Sequence, residues 1–292
     1  LQENGNWNSR MNDKKGMRRV VSLWFPRLST DRIWRERRLR NSNYFSTENQ
    51  KLPPLATFNK IGGVMRLVAL DVRATEAGLR PGMSVVDAKA LVSNLNIVPV
   101  DLSSDKHTLL KISNWCRRYT PSISFDVEIW LDISGCAHLY GCELGLLSDL
   151  KKRLAAFGYE VRASVADTPG AAWAVARFSD LINVPKNAQK KFLAPLPLAA
   201  LRLNASALNS LNYVGFYVIG DLYNIARAPI VSRFGESVLV RLDQAIGRVF
   251  EPLSLNKPIP EFFTQLVFSE PIGKREDIFF AFKHLLNLLF NK

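Results

Sequence analysis

The hydrophobic positions in the middle of the chain follow two periods, one typical of strands and one typical of helices. Apolar or alternating runs occur at residues 96–100 (NIVPV), 122–134 (SISFDVEIWLDIS) and 160–166 (EVRASVA), and each predicts one or two strands. Between them, apolar side chains recur every three or four residues and predict helices over residues 109–119 and 143–158. The order β, α, ββ, α, β is that of a split βαβ unit, which many unrelated proteins share.

Length and composition indicate a protein with more than one core. The chain has 292 residues, of which 47% are apolar, and it contains no apolar run of about 18 residues, the length that a membrane span needs. The first 17 residues are polar and lack the apolar segment of a secretory signal. These features predict a multidomain, cytoplasmic protein with no membrane partner. Residues 1–16 are expected to be a disordered extension, and the uncapped apolar pattern that ends at Lys292 is expected of a fragment.

The basic excess lies at the two ends of the sequence. The net charge is 39 − 26 = +13. Residues 1–60 carry 13 basic and 5 acidic side chains (+8), residues 61–180 carry 13 of each, and residues 181–292 carry 13 and 8 (+5). Such a balance favours a polyanionic partner, either nucleic acid or an anionic membrane surface.

The cysteines do not indicate a disulfide framework or a metal site. There are three of them, Cys116, Cys136 and Cys142, which suits a reducing compartment. Cys136, His138 and Cys142 are close in sequence, but a structural zinc site needs four ligands and no second pair is present. We therefore expect ordinary thiols, with no metal and no cofactor.

One predicted strand carries a motif that resembles the motif of a known protein family. Residues 125–135 (FDVEIWLDISG) resemble the palm motif of the Y-family translesion DNA polymerases, S-[IF]-D-E-[AV]-[FYW]-L-D-[VI]-[TS]. With Trp130 and Asp132 aligned, the metal-binding Asp of the family falls on Val127 and its neighbouring Glu falls on Glu128. The resemblance therefore implies that half of the acidic pair is lost.

The remaining motifs of that family are also altered. In the opening strand, RRVVSLWFPRLSTDR, its two metal-proximal positions fall on Ser22 and Trp24. Phosphoryl transfer needs two divalent cations held by converging carboxylates, which these residues do not supply. The positions that contact the triphosphate in the family fall on the uncharged residues Val72, Thr75, Ala171 and Val175. The resemblance thus implies a polymerase architecture without catalytic or nucleotide-binding residues, as in the non-catalytic members found in bacterial inducible mutagenesis cassettes.

The resemblance also implies the fold, an α/β (α+β) chain with a ferredoxin-like palm, small fingers, a helix-hairpin-helix thumb and an incomplete little finger. The expected domains are a disordered extension (1–17), palm (18–27 and 98–182), fingers (28–97), thumb (183–250), linker (251–260) and the start of a little finger (261–292). In the thumb, the glycines of the phosphate-binding hairpin fall on Arg202 and Asn204, which predicts a degraded turn.

The densest basic run is DRIWRERRLR, residues 31–40. It is either a DNA-contacting face or a solvated helix face, and the sequence leaves both open. The predicted DNA-binding residues are Arg32, Arg35, Arg37, Arg38, Arg40 and Arg202.

Three functions remain open at this point. The first is a catalytically inactive DNA-binding adaptor in damage-induced (SOS) translesion synthesis. The resemblance implies that such a protein links the sliding clamp to an error-prone DnaE-type polymerase and a RecA-like accessory protein. The second is an active translesion polymerase that uses displaced carboxylates, for which the candidates are Asp31, Asp71, Asp126, Glu128 and Asp132. The third is a basic DNA-binding protein unrelated to polymerases. We favour the first.

Overall fold

The computed structural model describes residues 18–40, 52–125, 128–254, 264, 266–268 and 273–290. The chain divides along its sequence into two compact units, residues 1–255 and residues 256–292. The expected extension (1–17) and residues 255–260 of the expected linker lie outside this part of the chain. The strands are β1 (Val20–Trp24), β2 (Leu55–Ile61), β3 (Val64–Leu70), β4 (Asn96–Pro99), β5 (Ile123–Phe125), β6 (Ile129–Asp132) and β7 (Arg162–Ala166).

The first unit contains most of the described helices. They are α1 (Leu28–Arg40), α2 (Val72–Glu76), α3 (Val85–Leu91), α4 (Leu102–Trp115), α5 (Glu143–Ala156), α6 (Pro169–Phe178), α7 (Gln189–Leu193), α8 (Ala205–Tyr213), α9 (Arg227–Phe234) and α10 (Glu236–Ile246). Short 3₁₀ helices cover Cys116–Arg118, Ala137–Tyr140, Leu198–Leu201 and Ile219–Leu222.

The larger sheet has the order β5-β6-β1-β7 and is antiparallel throughout. Alternate residues of β1 point to opposite faces. Val21 and Leu23 belong to a buried core with residues of α4 and α5, including Ile112 and Leu146. Ser22 is on the other face, against which α6 packs. The sheet therefore has one apolar face and one face with polar positions.

The smaller sheet has the order β3-β2-β4, with β2 and β4 parallel. Its hairpin turns at Gly62 and Gly63, whose φ angles of 59° and 83° suit glycine. The predicted strand at residues 96–100 is thus present as β4, but it pairs with β2 and not with the larger sheet. Periodicity marks residues 96–100 as a strand, but it does not reveal which distant strand they pair with.

The apolar helix α6 joins the larger sheet to the helical region that follows. Thr168 caps its first turn by accepting a hydrogen bond from the Ala171 amide, and Pro169 begins the helix, as predicted. The Thr168 hydroxyl also donates to the carbonyl of Ala245 at 2.8 Å, which ties α6 to α10. Ala171 belongs to a core shared with α7, α8 and α10.

In the second unit, the structure describes one helix, α11 (Arg275–Phe290). Phe280 stacks on His284 within it, and Arg275 lies over the ring of Phe279. Across the described ranges, no helix combines the length and the apolar character required to cross a bilayer.

Candidate functional site

Ser22 lies in β1, on the face of the larger sheet that carries polar residues and packs against α6. It pairs with Trp130 of β6 on one side and with Ser164 of β7 on the other. Ser22 and Ser164 are fully buried, and neither hydroxyl has a hydrogen-bond partner among the described residues. A buried serine hydroxyl is a much weaker ligand for a divalent cation than a carboxylate.

Glu128 lies at the start of β6 and is ion-paired with an arginine of α6. The Nη2 atom of Arg177 donates to its Oε1 atom at 2.5 Å, and the two side chains are only 14% and 19% exposed. The Arg177 guanidinium is 5.3 Å from the ring centroid of Trp24 and 4.2 Å from that of Trp173. Burial lowers the pKa of Arg177 to about 10, so the side chain stays protonated at neutral pH.

Asp132, at the other end of β6, is also neutralised by an arginine. Arg18 Nε donates to Asp132 Oδ2 at 3.2 Å, and Arg18 Nη1 donates to the carbonyl oxygen of Glu251 at 2.9 Å. The Arg18 guanidinium lies 5.0 Å from the ring centroid of Phe250. Both acids that the sequence retains in β6 and just before it are therefore held by cations of the same chain.

The other candidate acids do not converge on this site. Asp71 caps α2 by accepting from the Ala74 amide and also accepts from Trp34 Nε1. Asp31 accepts from the Glu160 amide at 2.9 Å, and burial raises its pKa to about 6. Asp31 and Asp71 line a separate cavity of about 440 Å³ together with Trp34 and residues of α1 and α2.

These residues do not fit the two-metal centre that the fold implies. Within the described ranges, no three His, Cys, Asp or Glu side chains are grouped so that they could hold a metal ion. Val127 and Asp126 lie outside the described residues. Ser22 is a buried hydroxyl, Trp24 is an indole, and Glu128 is occupied by a guanidinium.

The positions expected to contact a triphosphate are apolar or already bonded. Ala171 and Val175 are fully buried in the core around α6. Thr75 donates its hydroxyl hydrogen bond to the carbonyl of Asp71 at 3.0 Å. Val72 is about half exposed at the start of α2 and carries no charge. None of the four supplies a cation to a phosphate.

Comparison with known proteins shows which proteins this chain resembles. The chain is 41% identical over 204 residues to the protein named Protein ImuB of Caulobacter vibrioides, in both strain NA1000 and strain CB 15, which covers 69% of this chain and 44% of the relative. The model of the impB/mucB/samB family matches residues 46–177. The chain therefore carries an impB/mucB/samB-type domain and is similar to Protein ImuB. It spans less than half the length of these ImuB relatives.

Solved structures confirm the predicted fold of this chain. It is similar to DinB from Sulfolobus solfataricus, with a TM-score of 0.60 at 19% identity over 80% of this chain and 69% of that chain. The insertion ternary complex of Dbh DNA polymerase gives a TM-score of 0.63 at 17% identity, with the same coverage. The post-insertion binary complex of Dbh gives 0.62 at 18%, covering 94% of this chain and 80% of that chain. The Y-family polymerase architecture predicted from the motifs is therefore present.

Most of the arginines predicted to bind DNA make contacts within the protein. Arg32 is buried, donates to Asp105 at 2.8 Å and pairs with Glu36, so we remove it from the predicted phosphate contacts. Arg35 donates to the carbonyl of Phe157 and lies over the rings of Phe157 and Tyr159.

The rest of the basic run lies toward the end of α1. Arg37 stacks on Trp34, and Arg38 and Arg40 are exposed in the last turn. Arg202 is in the left-handed region with φ 57°, and its side chain turns back to Glu251 at 2.7 Å. Asn204 caps α8 by accepting from the Ala207 amide. Arg32, Arg35 and Arg37 of this run therefore contact groups of the same chain, a role that differs from both alternatives left open by the sequence, the DNA-contacting face and the solvated face.

Two groups of functional interest were missed at the level of sequence. Arg177 was not singled out, although it is the one charged residue of α6 (PGAAWAVARF), and a lone charge in an apolar helix is a usable signal. The second group lies in the helical region, where two buried acids are each shared by two arginines. Asp243 pairs with Arg227 and Arg248, and Glu251 pairs with Arg202 and Arg241. Each of these two acids is thus shared by two arginines, which leaves one positive charge in excess around Asp243 and one around Glu251.

Proposed function

We propose that this chain is the catalytically inactive, DNA-binding polymerase-like part of an adaptor in damage-induced translesion synthesis. The observation that carries the proposal is the pairing of Glu128 with Arg177 and of Asp132 with Arg18. An acid that is already neutralised inside the protein is a poor ligand for catalytic magnesium. The same observation weighs against an active polymerase with displaced carboxylates.

Binding to DNA is supported by the charge of the chain and by the arrangement of its arginines. The net charge of +13 favours a polyanionic partner, such as the phosphate backbone of DNA. Arg227, Arg241 and Arg248 are 40–59% exposed, and each is held in place by a buried carboxylate. Ordered guanidiniums lose less side-chain freedom when they contact a phosphate. We therefore assign the DNA contact to this helical region in preference to α1.

The partners of the adaptor follow from the family resemblance. A protein of this kind would act in the cytoplasm during the SOS response, where it would link the sliding clamp to an error-prone DnaE-type polymerase and a RecA-like accessory protein. Linking several weak contacts raises the effective concentration of a second polymerase near a primer terminus without new chemistry. Such a role needs a stable platform and no metal site.

Two assays on the purified chain test this proposal. Primer extension with Mg²⁺ or Mn²⁺ should give no incorporation above background, with an active Y-family polymerase on the same template as the positive control. Fluorescence anisotropy should show sequence-independent binding to primer-template DNA, with log affinity falling by about 0.9 per phosphate contact for each tenfold rise in salt. Metal-dependent incorporation that is lost in Glu128→Ala would favour the active polymerase, and absence of DNA binding at low salt would remove the DNA-binding role.

A further inference from the structure

The site that has lost its metal ligands contains a cation supplied by the protein itself. Among the positions that align with the metal ligands of the fold, Ser22, Trp24, Val127 and Glu128, only Glu128 is a carboxylate. Its Oε1 atom accepts from Arg177 at 2.5 Å in a largely buried environment. The negative charge that would attract a divalent ion is therefore already compensated.

The residues around Arg177 hold this cation in place. Trp24 occupies one of the lost metal-proximal positions, and its ring lies 5.3 Å from the Arg177 guanidinium. The ring centroid of Trp173, one turn earlier in α6, lies 4.2 Å from the Arg177 guanidinium. The guanidinium of Arg202 lies 5.8 Å from the same ring. Indole rings attract a guanidinium through their negative faces, most strongly when water is excluded. Trp24, which stands at a metal-proximal position of the family, therefore stabilises the Arg177 guanidinium beside Glu128.

The ion pair does not use all of its hydrogen-bonding atoms. Glu128 Oε2 and Arg177 Nη1 are buried and have no hydrogen-bond partner among the residues that the structure describes. Ser22, whose hydroxyl is likewise buried and without a described partner, pairs with Trp130, two residues beyond Glu128. An acid introduced at position 22 would therefore enter the same buried polar face.

We infer that Arg177 takes the place that a divalent cation holds beside the retained acid in this fold, and that its guanidinium excludes such ions from Glu128. The loss of metal binding then has two causes, which are the missing carboxylates and the positive charge of Arg177 beside Glu128. Restoring an acid at position 22 is not sufficient while Arg177 remains, because the new carboxylate meets a cation that is already in place. This inference concerns metal binding, so it can fail while the proposed DNA-binding role stands, and the reverse is also true.

The test compares three variants of the whole chain by thermal melting with and without 1 mM Mn²⁺. They are Ser22→Asp, Ser22→Asp with Arg177→Gln, and Ser22→Asp with Arg162→Ala. Gln at 177 keeps donors and much of the side-chain length but removes the charge. Arg162 is the matched control, because its guanidinium also lies over Trp24, at 5.7 Å, but it pairs with Asp180 and not with Glu128.

We expect Mn²⁺ to raise the melting temperature of the Arg177→Gln double variant by roughly 3–6 °C, as a ligand at about ten times its Kd would do, and to leave the other two unchanged. Isothermal titration should then show one Mn²⁺ per chain. An equal shift in Ser22→Asp alone would overturn the inference, and so would a folded Arg177→Gln double variant that does not respond. If that variant is unfolded, recovery of structure on refolding in Mn²⁺ supports the inference, and failure to recover overturns it.

Discussion

The pairing of Glu128 with Arg177 makes a quantitative prediction about stability. Arg177→Ala leaves a buried carboxylate without its counter-ion, and removing one partner of a buried ion pair costs about 3–5 kcal/mol. The substitution also removes the cation–π contacts of the guanidinium with Trp24 and Trp173, which adds about 1 kcal/mol to the cost. Glu128→Ala leaves the guanidinium unpaired but still in contact with the two rings, so we expect a smaller cost of about 2–3 kcal/mol.

The double variant Glu128→Ala/Arg177→Ala removes both charges, so its cost should be well below the sum of the single costs. We expect a coupling energy of roughly 2–3 kcal/mol from the double-mutant cycle. The assay is urea unfolding followed by far-ultraviolet circular dichroism, which avoids the fluorescence changes caused by altering the surroundings of Trp24. The free energy of unfolding is taken from the midpoint and the slope of the main transition.

A matched control and a refuting result complete this design. Arg162→Ala removes another guanidinium over Trp24, but its partner Asp180 is fully exposed, so the cost should stay below about 1 kcal/mol. Additivity of Glu128→Ala and Arg177→Ala to within about 0.5 kcal/mol would refute the reasoning. It would mean that water screens the pair, and the argument that Glu128 is unavailable to a metal would lose its basis.

Three further outcomes follow from the structure. Because burial raises the pKa of Asp31 to about 6, the folded state favours its protonated form and its contribution to stability is lost as pH rises from about 4 to 6. Asp31→Asn should remove this loss in thermal melts across pH 4–7, and a profile parallel to the parent's would contradict it. Arg241→Gln with Arg248→Gln should weaken DNA binding and reduce the salt slope by about 2, more than Arg37→Gln does, and the reverse order would return the DNA contact to α1. In cells, Glu128→Gln should leave damage-induced mutation frequency nearly unchanged, and a drop in that frequency at normal protein levels would indicate catalysis.

The local elements were predictable because their signals are local. Thr168 and Pro169 begin α6 as expected, and Gly158 follows α5 with a positive φ of 85°. The Y-family architecture was predictable from motifs, and the solved structures confirm it. The placement of residues 96–100 in the smaller sheet was not predictable, because a parallel pairing between β2 and β4 depends on residues far apart in the chain.

The basic run in α1 shows the same limit for the site. Its composition suits either DNA or a solvated face, but Arg32 turns to Asp105, which is 73 residues away in sequence. The direction of a guanidinium depends on which acids and rings the fold brings within reach, and no local pattern contains that information. The same holds for Arg241 and Arg248, which stand out only once α10 places them beside buried acids.

The sequence by itself determined which ligands this chain lacks, since Ser22, Trp24 and Val127 cannot supply metal-binding carboxylates in any conformation. Only the tertiary structure decided what became of the acid that remains. It brings Arg177 of α6 across 49 residues to Glu128 and places its guanidinium against the rings of Trp24 and Trp173. The physical reason is that chemical identity belongs to each residue alone, whereas the compensation of a buried charge depends on the distance and the dielectric that packing creates.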